Sequence, residues 1–131
     1  MKKKILVVDD EPDTLTTIQF ILEQKGFEVV TASNGYEALG AAIAEEPNLM
    51  ILDVLLPKIN GYEVSRILKE ETRRGTIEKE MPILILTGAK FSDSSKEKLF
   101  RSWSMADSFM YKPFELDELE KMVSSLIENS S

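Results

Sequence analysis

Short apolar runs alternate with segments of helical periodicity along the whole chain. Runs of four or five residues predict strands at 4–8, 28–32, 49–52, 82–86 and 108–111. After each run, apolar side chains recur every three or four positions and predict helices: one around Leu15, Ile18 and Leu22 ending at Gly26, then 36–46, one around Val64 and Leu68, 94–103 and 116–127. The pattern therefore predicts five strand–helix units in series.

The order of these elements favours one class of fold. Strands that are apolar on both faces, separated by helices, are typical of a parallel sheet covered on both sides through right-handed crossovers. We therefore expect an α/β fold, a doubly wound three-layer (βα)5 sandwich. Asn34 and Gly35 predict a turn, and the charged stretch 69–80 predicts a solvated helix end and loop.

Composition limits the chain to one compact domain and narrows its chemistry. With 131 residues, 43% of them hydrophobic, we expect a single domain over 1–131 with its core at about 3–128. No signal peptide is apparent and the apolar runs are far shorter than the ~20 residues of a membrane span, so we expect a cytoplasmic protein. A net charge of −7 argues against direct binding to nucleic acid or membranes.

The chain has no cysteine and no histidine, so any chemistry must use carboxylates, hydroxyls and lysines. Such groups end or follow four of the predicted strands: Asp9 and Asp10 follow the first, Asp53 ends the third, Thr87 ends the fourth and Lys112 follows the fifth. Because functional groups of doubly wound sheets gather beyond the carboxyl ends of the strands, we expect these side chains to meet at one edge. Three adjacent carboxylates need a hard cation, Mg2+ or alternatively Mn2+.

One of the three carboxylates would remain available as a nucleophile toward phosphorus, while Lys112 and Thr87 suit phosphoryl oxygens. Each residue alone has a simpler interpretation. Asp10 or Asp13 can cap the first helix, Asp53 can be a turn residue, and Thr87 and Lys112 can end strands. Their joint occurrence at four strand ends favours a phosphate-plus-metal site.

Four motifs resemble those of the receiver domains of two-component response regulators: ILVVDDEP, MILDVLLPKINGYE with its D-x3-P-x3-G-x-E spacing, ILILTGA and FMYKPFELDEL. The resemblance covers essentially the whole chain and implies the flavodoxin-like strand order 2-1-3-4-5. It implies Asp53 as the phosphoacceptor, and as Mg2+ ligands Asp9, Asp10, Asp53 and the backbone carbonyl of Leu55. It also implies phosphoryl contacts from Thr87 and Lys112, and a cis peptide bond between Lys112 and Pro113.

The resemblance further implies a signalling function. A sensor histidine kinase or histidine phosphotransfer protein would supply the phosphoryl group, docking on a face for which we select Thr14, Thr17 and Ile21, with Ile21 equally suited to the core. Thr87 and Phe109 would be the switch residues. The face of the fourth helix, fifth strand and fifth helix would then bind a downstream effector protein or domain, or form a homodimer.

Several positions depart from the family pattern. Phe109 replaces the commoner tyrosine, and Met105 stands where glycine is usual. Leu55 and Ala89 occupy positions that in the family flank the path of the hydrolytic water. The side chains of leucine and alanine cannot hydrogen-bond to that water, so we expect slow self-dephosphorylation. The aromatic residues within 91–114, which include Phe91, are interpreted first as core and alternatively as part of the output face.

The sequence leaves alternative functions open. A pseudo-receiver that only binds partners is the main one, although Asp10, Asp53, Thr87 and Lys112 are all present. A Mg2+-dependent phosphatase is disfavoured because Leu55 replaces the second acid expected there, and a flavin-binding protein is disfavoured because acidic residues follow the first strand.

Overall fold

The structure is a computed structural model that describes residues 2–88 and 94–130. Its strands are β1 (Lys4–Val8), β2 (Glu28–Ala32), β3 (Leu49–Asp53), β4 (Ile83–Thr87) and β5 (Ser108–Tyr111). Its helices are α1 (Pro12–Gln24), α2 (Gly35–Glu45), α3 (Gly61–Arg74), α4 (Ser94–Ser104) and α5 (Leu116–Ser130).

The five strands form one parallel sheet in the order β2-β1-β3-β4-β5. Strand order reverses at β1, which pairs with both β2 and β3. In a doubly wound sheet this switch point is where a site forms beyond the carboxyl ends of the strands. The predicted α/β sandwich and its strand order are confirmed.

Two apolar layers enclose the sheet. Side chains of α1 and α5, including Ile18 and Val123, pack on one face of the sheet. Side chains of α2 and α3, including Ala38 and Leu68, pack on the other face. Every residue of β3 and β4 is buried, which explains why these two strands have no polar face. The core therefore fixes where each strand ends, and with it the site.

Most predicted boundaries lie within one residue of the observed ones, but the turn predicted at Asn34 and Gly35 is wrong. Asn34 is the N-cap of α2, its side chain accepts a hydrogen bond from the Glu37 backbone N–H at 2.9 Å, and Gly35 is already helical. The reason is that asparagine, which favours turns, equally satisfies the unpaired N–H groups at a helix start.

The stretch 69–80 is a helix end and loop, as predicted, and most of it is exposed, but Lys69 at its start is not. Helix α3 continues to Arg74 and ends at Gly75, whose φ of 86° suits glycine. The Lys69 side chain is only 10% exposed because its ammonium group pairs with Asp107 at 2.6 Å and donates to the Met81 carbonyl at 3.1 Å. Over the described parts of the chain, none of the helices combines the length and apolar character needed to cross a membrane.

Candidate functional site

The carboxyl ends of β1 and β3 bring three acidic side chains together. Asp9 and Asp10 follow β1, and Asp53 is the last residue of β3. Carboxylate oxygens of these three residues all lie within 4.8 Å of one another, with Asp9 and Asp53 buried and Asp10 exposed. A set of oxygen ligands open to solvent on one side fits a hard cation such as Mg2+, which commonly keeps several waters.

Lys112, one residue beyond β5, is the basic group of the site. Its Nζ lies 3.1 Å from Asp9 Oδ2 and 3.2 Å from Asp53 Oδ1. The Lys112 backbone N–H also donates to the Thr87 carbonyl at 2.8 Å, which continues the β4–β5 pairing past the strand end. The lysine is therefore held between two buried carboxylates by the sheet itself.

The ionisation of Asp53 reflects opposing influences. Burial raises the pKa of the Asp53 carboxyl; Lys112 lowers it, and the charges of Asp9 and Asp10 raise it further, so that the pKa lies above its usual value. Burial lowers the pKa of Lys112, but the Asp53 and Asp9 carboxylates outweigh burial and raise it overall. The site therefore holds more negative charge than Lys112 neutralises.

The start of α1 differs from the capping roles considered for Asp10 and Asp13. The N-cap position is Glu11, which makes no side-chain cap, and Pro12 begins the helix. The Glu11 backbone N–H instead donates to Asp9 Oδ1 at 2.9 Å. Proline at the first helical position has no N–H, so one unpaired donor of the helix start is absent, and α1 begins without a side-chain cap.

Thr87 delivers a buried hydroxyl to the same strand edge. Its side chain is 1% exposed, and its Oγ1 has no hydrogen-bond partner within the described residues. The Tyr62 hydroxyl is also buried and also has no hydrogen-bond partner within the described residues. Burial raises the pKa of Tyr62 above its usual value, and the Thr87 hydroxyl, which lies nearby but outside hydrogen-bond geometry, offsets only part of that rise. Sequence reasoning did not select Tyr62, although its position directly after Gly61 in the acceptor motif was a usable signal.

The loop after Asp53 is tightly packed at Gly61. A Cβ atom on Gly61 would lie 2.3 Å from the Asp53 carbonyl oxygen, and the Gly61 N–H donates to the Val54 carbonyl at 2.9 Å. Only glycine permits this approach, which fixes the start of α3 against the acceptor strand. Leu55 in the same loop has a 75% exposed side chain. On the other side of the site, the Lys112–Pro113 peptide bond is cis, the geometry that the resemblance implies.

The α4–β5 surface contains a contact that the sequence did not reveal. Phe109 is half-buried, and the guanidinium of Arg101 lies 4.3 Å from the centre of its ring. Phe100, Trp103 and Tyr111 are 42–44% exposed, which contradicts a purely core-filling interpretation of the aromatic stretch. Phe91 and Ala89, for which predictions were made, lie outside the described residues.

A groove of about 570 Å3 borders the site between α1 and the loop after β5. Thr14 and Thr17 line it together with Lys112 and Phe114. Ile21, the third residue selected for docking, is half-buried and is not among the groove residues. Two of the three selected residues therefore face the same recess as Lys112.

Comparison with known proteins decides the family. The family model described as "Response regulator receiver domain" matches residues 5–124. The chain belongs to the response regulator receiver domain family. Its acidic cluster, Lys112 and Thr87 accordingly occupy the strand edge at which the sequence motifs of this receiver domain meet.

Similar curated proteins are longer regulators. The receiver domain is 41% identical over 130 residues to the alkaline phosphatase synthesis transcriptional regulatory protein PhoP of Bacillus subtilis, covering 99% of this chain and 50% of that protein. It is 38% identical over 129 residues to the probable transcriptional regulator ycf27 of Cyanophora paradoxa, covering 98% of this chain and 50% of that protein. The chain thus spans about half the length of the curated relatives it matches.

Solved structures of receiver domains share the fold. One is the signal receiver domain of a signal transduction histidine kinase from Syntrophus aciditrophicus, with 31% identity, a TM-score of 0.84, and coverage of 97% of this chain and 91% of that chain. Another is the CheY-like response regulator receiver domain protein from Methanospirillum hungatei JF-1, with 28% identity, a TM-score of 0.84, and coverage of 99% and 97%.

Proposed function

We propose that this receiver domain accepts a phosphoryl group on Asp53 from a phosphohistidine of a partner protein, with Mg2+ held at the acidic cluster. One observation carries the proposal. Three carboxylates lie within 4.8 Å of one another, Lys112 bridges two of them, and a buried Thr87 hydroxyl without a partner among the described residues ends the next strand. These are the groups needed to bind a cation and a phosphoryl group side by side.

Asp53 is the acceptor in this proposal. Its carboxylate oxygen forms a bond to phosphorus while the bond between phosphorus and the donor imidazole nitrogen breaks. The nitrogen leaves with the electron pair and is protonated, and an acyl phosphate remains on Asp53. The reaction needs the ionised carboxylate, and Lys112 opposes the rise in the Asp53 pKa that burial causes. Lys112 is also placed to pair with the transferred oxygens.

The metal would be held by Asp9, Asp10, Asp53 and the backbone carbonyl of Leu55. When bound, Mg2+ supplies positive charge that offsets the repulsion among the carboxylates and the phosphoryl oxygens. The chain offers no histidine or cysteine, so an all-oxygen site is the chemistry that its residues support. Mn2+ suits the same ligands.

Thr87 would bind a phosphoryl oxygen. A buried hydroxyl without a hydrogen bond is unfavourable by roughly 1–3 kcal/mol, so a new acceptor at the site would attract it. Movement of Thr87 would then make room for Phe109 to turn inward, which is the switch that the family resemblance implies. The phosphoryl group need only bias two arrangements that both exist beforehand.

The partners belong to the same proposal. The donor would be a sensor histidine kinase or histidine phosphotransfer protein docking over the groove that Thr14 and Thr17 line beside Lys112. The face of α4, β5 and α5 would act on a downstream effector protein or domain, or form a homodimer. Relatives twice as long are transcriptional regulators, which supports an effector of that kind.

Intact-mass spectrometry tests the proposal. The protein is incubated with acetyl phosphate in the presence of Mg2+ or EDTA, and we expect a gain of about 80 Da, one phosphoryl group, only with Mg2+. Asp53→Asn should abolish the gain. Asp117→Asn is the matched control because Asp117 is an exposed carboxylate in the first turn of α5, outside the acidic cluster and the groove beside Lys112.

A gain that persists in Asp53→Asn would overturn the assignment of the acceptor. Absence of any gain in the unaltered protein would favour the pseudo-receiver alternative, in which the fold only binds partners.

A further inference from the structure

Phe109 lies between the phosphoryl-binding edge and the surface of the molecule. It pairs with Ile85 across β4 and β5, and Thr87 follows Ile85 by two residues. Because strand side chains alternate between faces, Thr87, Ile85 and Phe109 all lie on the face that α3 covers. One side of the Phe109 ring therefore packs on the core behind Thr87.

The other side of the Phe109 ring is covered by Arg101 from the last turns of α4. The guanidinium carbon is 4.3 Å from the centre of the Phe109 ring and 5.7 Å from that of Tyr111. Such distances are well within the range of attractive cation–π contacts. The Arg101 side chain is 33% exposed, so its charge is only partly withdrawn from water.

Arg101 is held in place independently of Phe109. Its Nη1 donates to the Tyr111 hydroxyl at 3.2 Å and lies 3.9 Å from a carboxylate oxygen of Glu97, one turn earlier on α4. The Tyr111 hydroxyl donates in turn to Glu97. Since these contacts fix the guanidinium, the cation–π contact depends on where the Phe109 ring lies.

We propose that Arg101 contacts Phe109 only while the Phe109 ring points outward. The guanidinium stacks on the ring in the unphosphorylated protein and loses that contact when the ring turns inward. The proposal rests on the proposed phosphorylation of Asp53. The contact between Arg101 and Phe109 would couple phosphorylation to the α4–β5 surface without a hydroxyl on residue 109. Phosphorylation then uncovers a positive charge on the α4–β5 surface of a chain whose net charge is −7.

Because of thermodynamic linkage, the contact between Arg101 and Phe109 also affects phosphorylation. If Arg101 stabilises the outward ring, it opposes phosphorylation to the same extent. A cation–π contact at a partly exposed position contributes a factor of about 2–5 to an equilibrium, so the ratio of inward to outward positions of the Phe109 ring should be about 2–5 times larger in Arg101→Gln than in the unaltered protein.

Nuclear magnetic resonance of arginine side chains tests the contact directly. The Nε–Hε resonance of Arg101, assigned by its absence in Arg101→Gln, should be shifted by the ring current of Phe109. That shift should disappear in unphosphorylated Phe109→Leu and in the protein treated with acetyl phosphate and Mg2+. Arg66 is the matched control because its guanidinium stacks on Trp103 at 5.1 Å, on a ring that the switch does not include.

The mass of each sample separates the two proposals. A sample that gains the phosphoryl group while the Arg101 resonance stays unchanged overturns the role of Arg101 and leaves the function intact. A sample that gains no phosphoryl group overturns the proposed function. It also overturns the proposed contact change at Arg101, which rests on that function. Equal movement of the Arg66 and Arg101 resonances also contradicts the proposal, because the change would then not be specific to Phe109.

Discussion

Replacing Lys112 by methionine should destabilise the receiver domain in a way that depends on pH. The substitution keeps a long, unbranched side chain but removes the charge that lies 3.1 Å from Asp9 and 3.2 Å from Asp53. At an effective dielectric constant of 20, each contact represents an attraction of about 5 kcal/mol before desolvation is counted. Breaking a buried ion pair from one side typically costs about 3–5 kcal/mol.

We expect Lys112→Met to lose about 3 kcal/mol of the free energy of unfolding at pH 8 in EDTA, which is the lower end of that range. The Lys112 side chain is 27% exposed, so water already screens part of the attraction. The carboxylates can also take up protons. Without Lys112, the pKa of Asp53 should rise further above its usual value, since lysine is the main group that lowers it.

The sign of the pH dependence follows. A carboxyl whose folded-state pKa is raised destabilises the fold above its unfolded pKa of about 4, and the penalty is relieved as pH falls through the folded pKa. The loss in Lys112→Met should therefore be smaller at pH 5 than at pH 8. Saturating Mg2+ should also reduce the loss, because a site without the lysine charge is more negative and binds the cation more tightly, so Mg2+ stabilises the folded variant more than the unaltered protein.

Urea denaturation followed by circular dichroism measures these differences. Lys121→Met, at an exposed position of α5, is the control and should change stability by less than about 0.5 kcal/mol. The reasoning is refuted if Lys112→Met loses the same free energy of unfolding at pH 5 and pH 8, or loses no more than Lys121→Met does.

Five further substitutions have testable outcomes. Asp53→Asn should raise the free energy of unfolding at pH 7 in EDTA, because burial and the neighbouring acids raise the Asp53 pKa; a loss of stability in urea denaturation would contradict this. Met105→Gly should stabilise by about 0.5–1 kcal/mol, because Met105 has a φ of 62°, whereas Gly75→Ala at φ 86° should destabilise by a similar amount. Tyr62→Phe should be neutral or stabilising by up to about 1 kcal/mol, because the buried hydroxyl has no hydrogen bond within the described residues; a clear loss would reveal a partner. Leu55→Asn should shorten the lifetime of the acyl phosphate, measured by mass after removal of the phosphodonor, and an unchanged lifetime would count against the role given to Leu55.

The strand order, the location of the site and nearly all strand bounds could be expected from the sequence. The bounds of β1, β2 and β5 agree with the predicted ones, and Asp53 and Thr87 end β3 and β4 as predicted. The predicted start of β4 is one residue early, because Pro82 has no N–H to donate to a neighbouring strand and the strand begins at Ile83. Asp53 and Thr87 are both buried although they are polar.

The gathering of acidic residues, Thr87 and Lys112 could be predicted because parallel strands end at one edge. The contact of Arg101 with Phe109 could not, since it depends on how α4 packs against β5. The exposed position of Trp103 could not be predicted either, because it depends on how α4 packs beside α3. Arg66 stacks on its ring from α3, so an aromatic side chain that composition assigns to the core lies at the surface. Helix periodicity does not reveal which charged residue covers which ring.

Chemical localisation of the phosphoryl group tests the central claim most directly. The protein is treated with acetyl phosphate and Mg2+, reduced with borohydride, which converts an aspartyl phosphate to homoserine, and sequenced by tandem mass spectrometry. We expect homoserine at position 53 and unmodified aspartate at Asp9 and Asp10. Homoserine at either of those residues, or at none of the three, would contradict it.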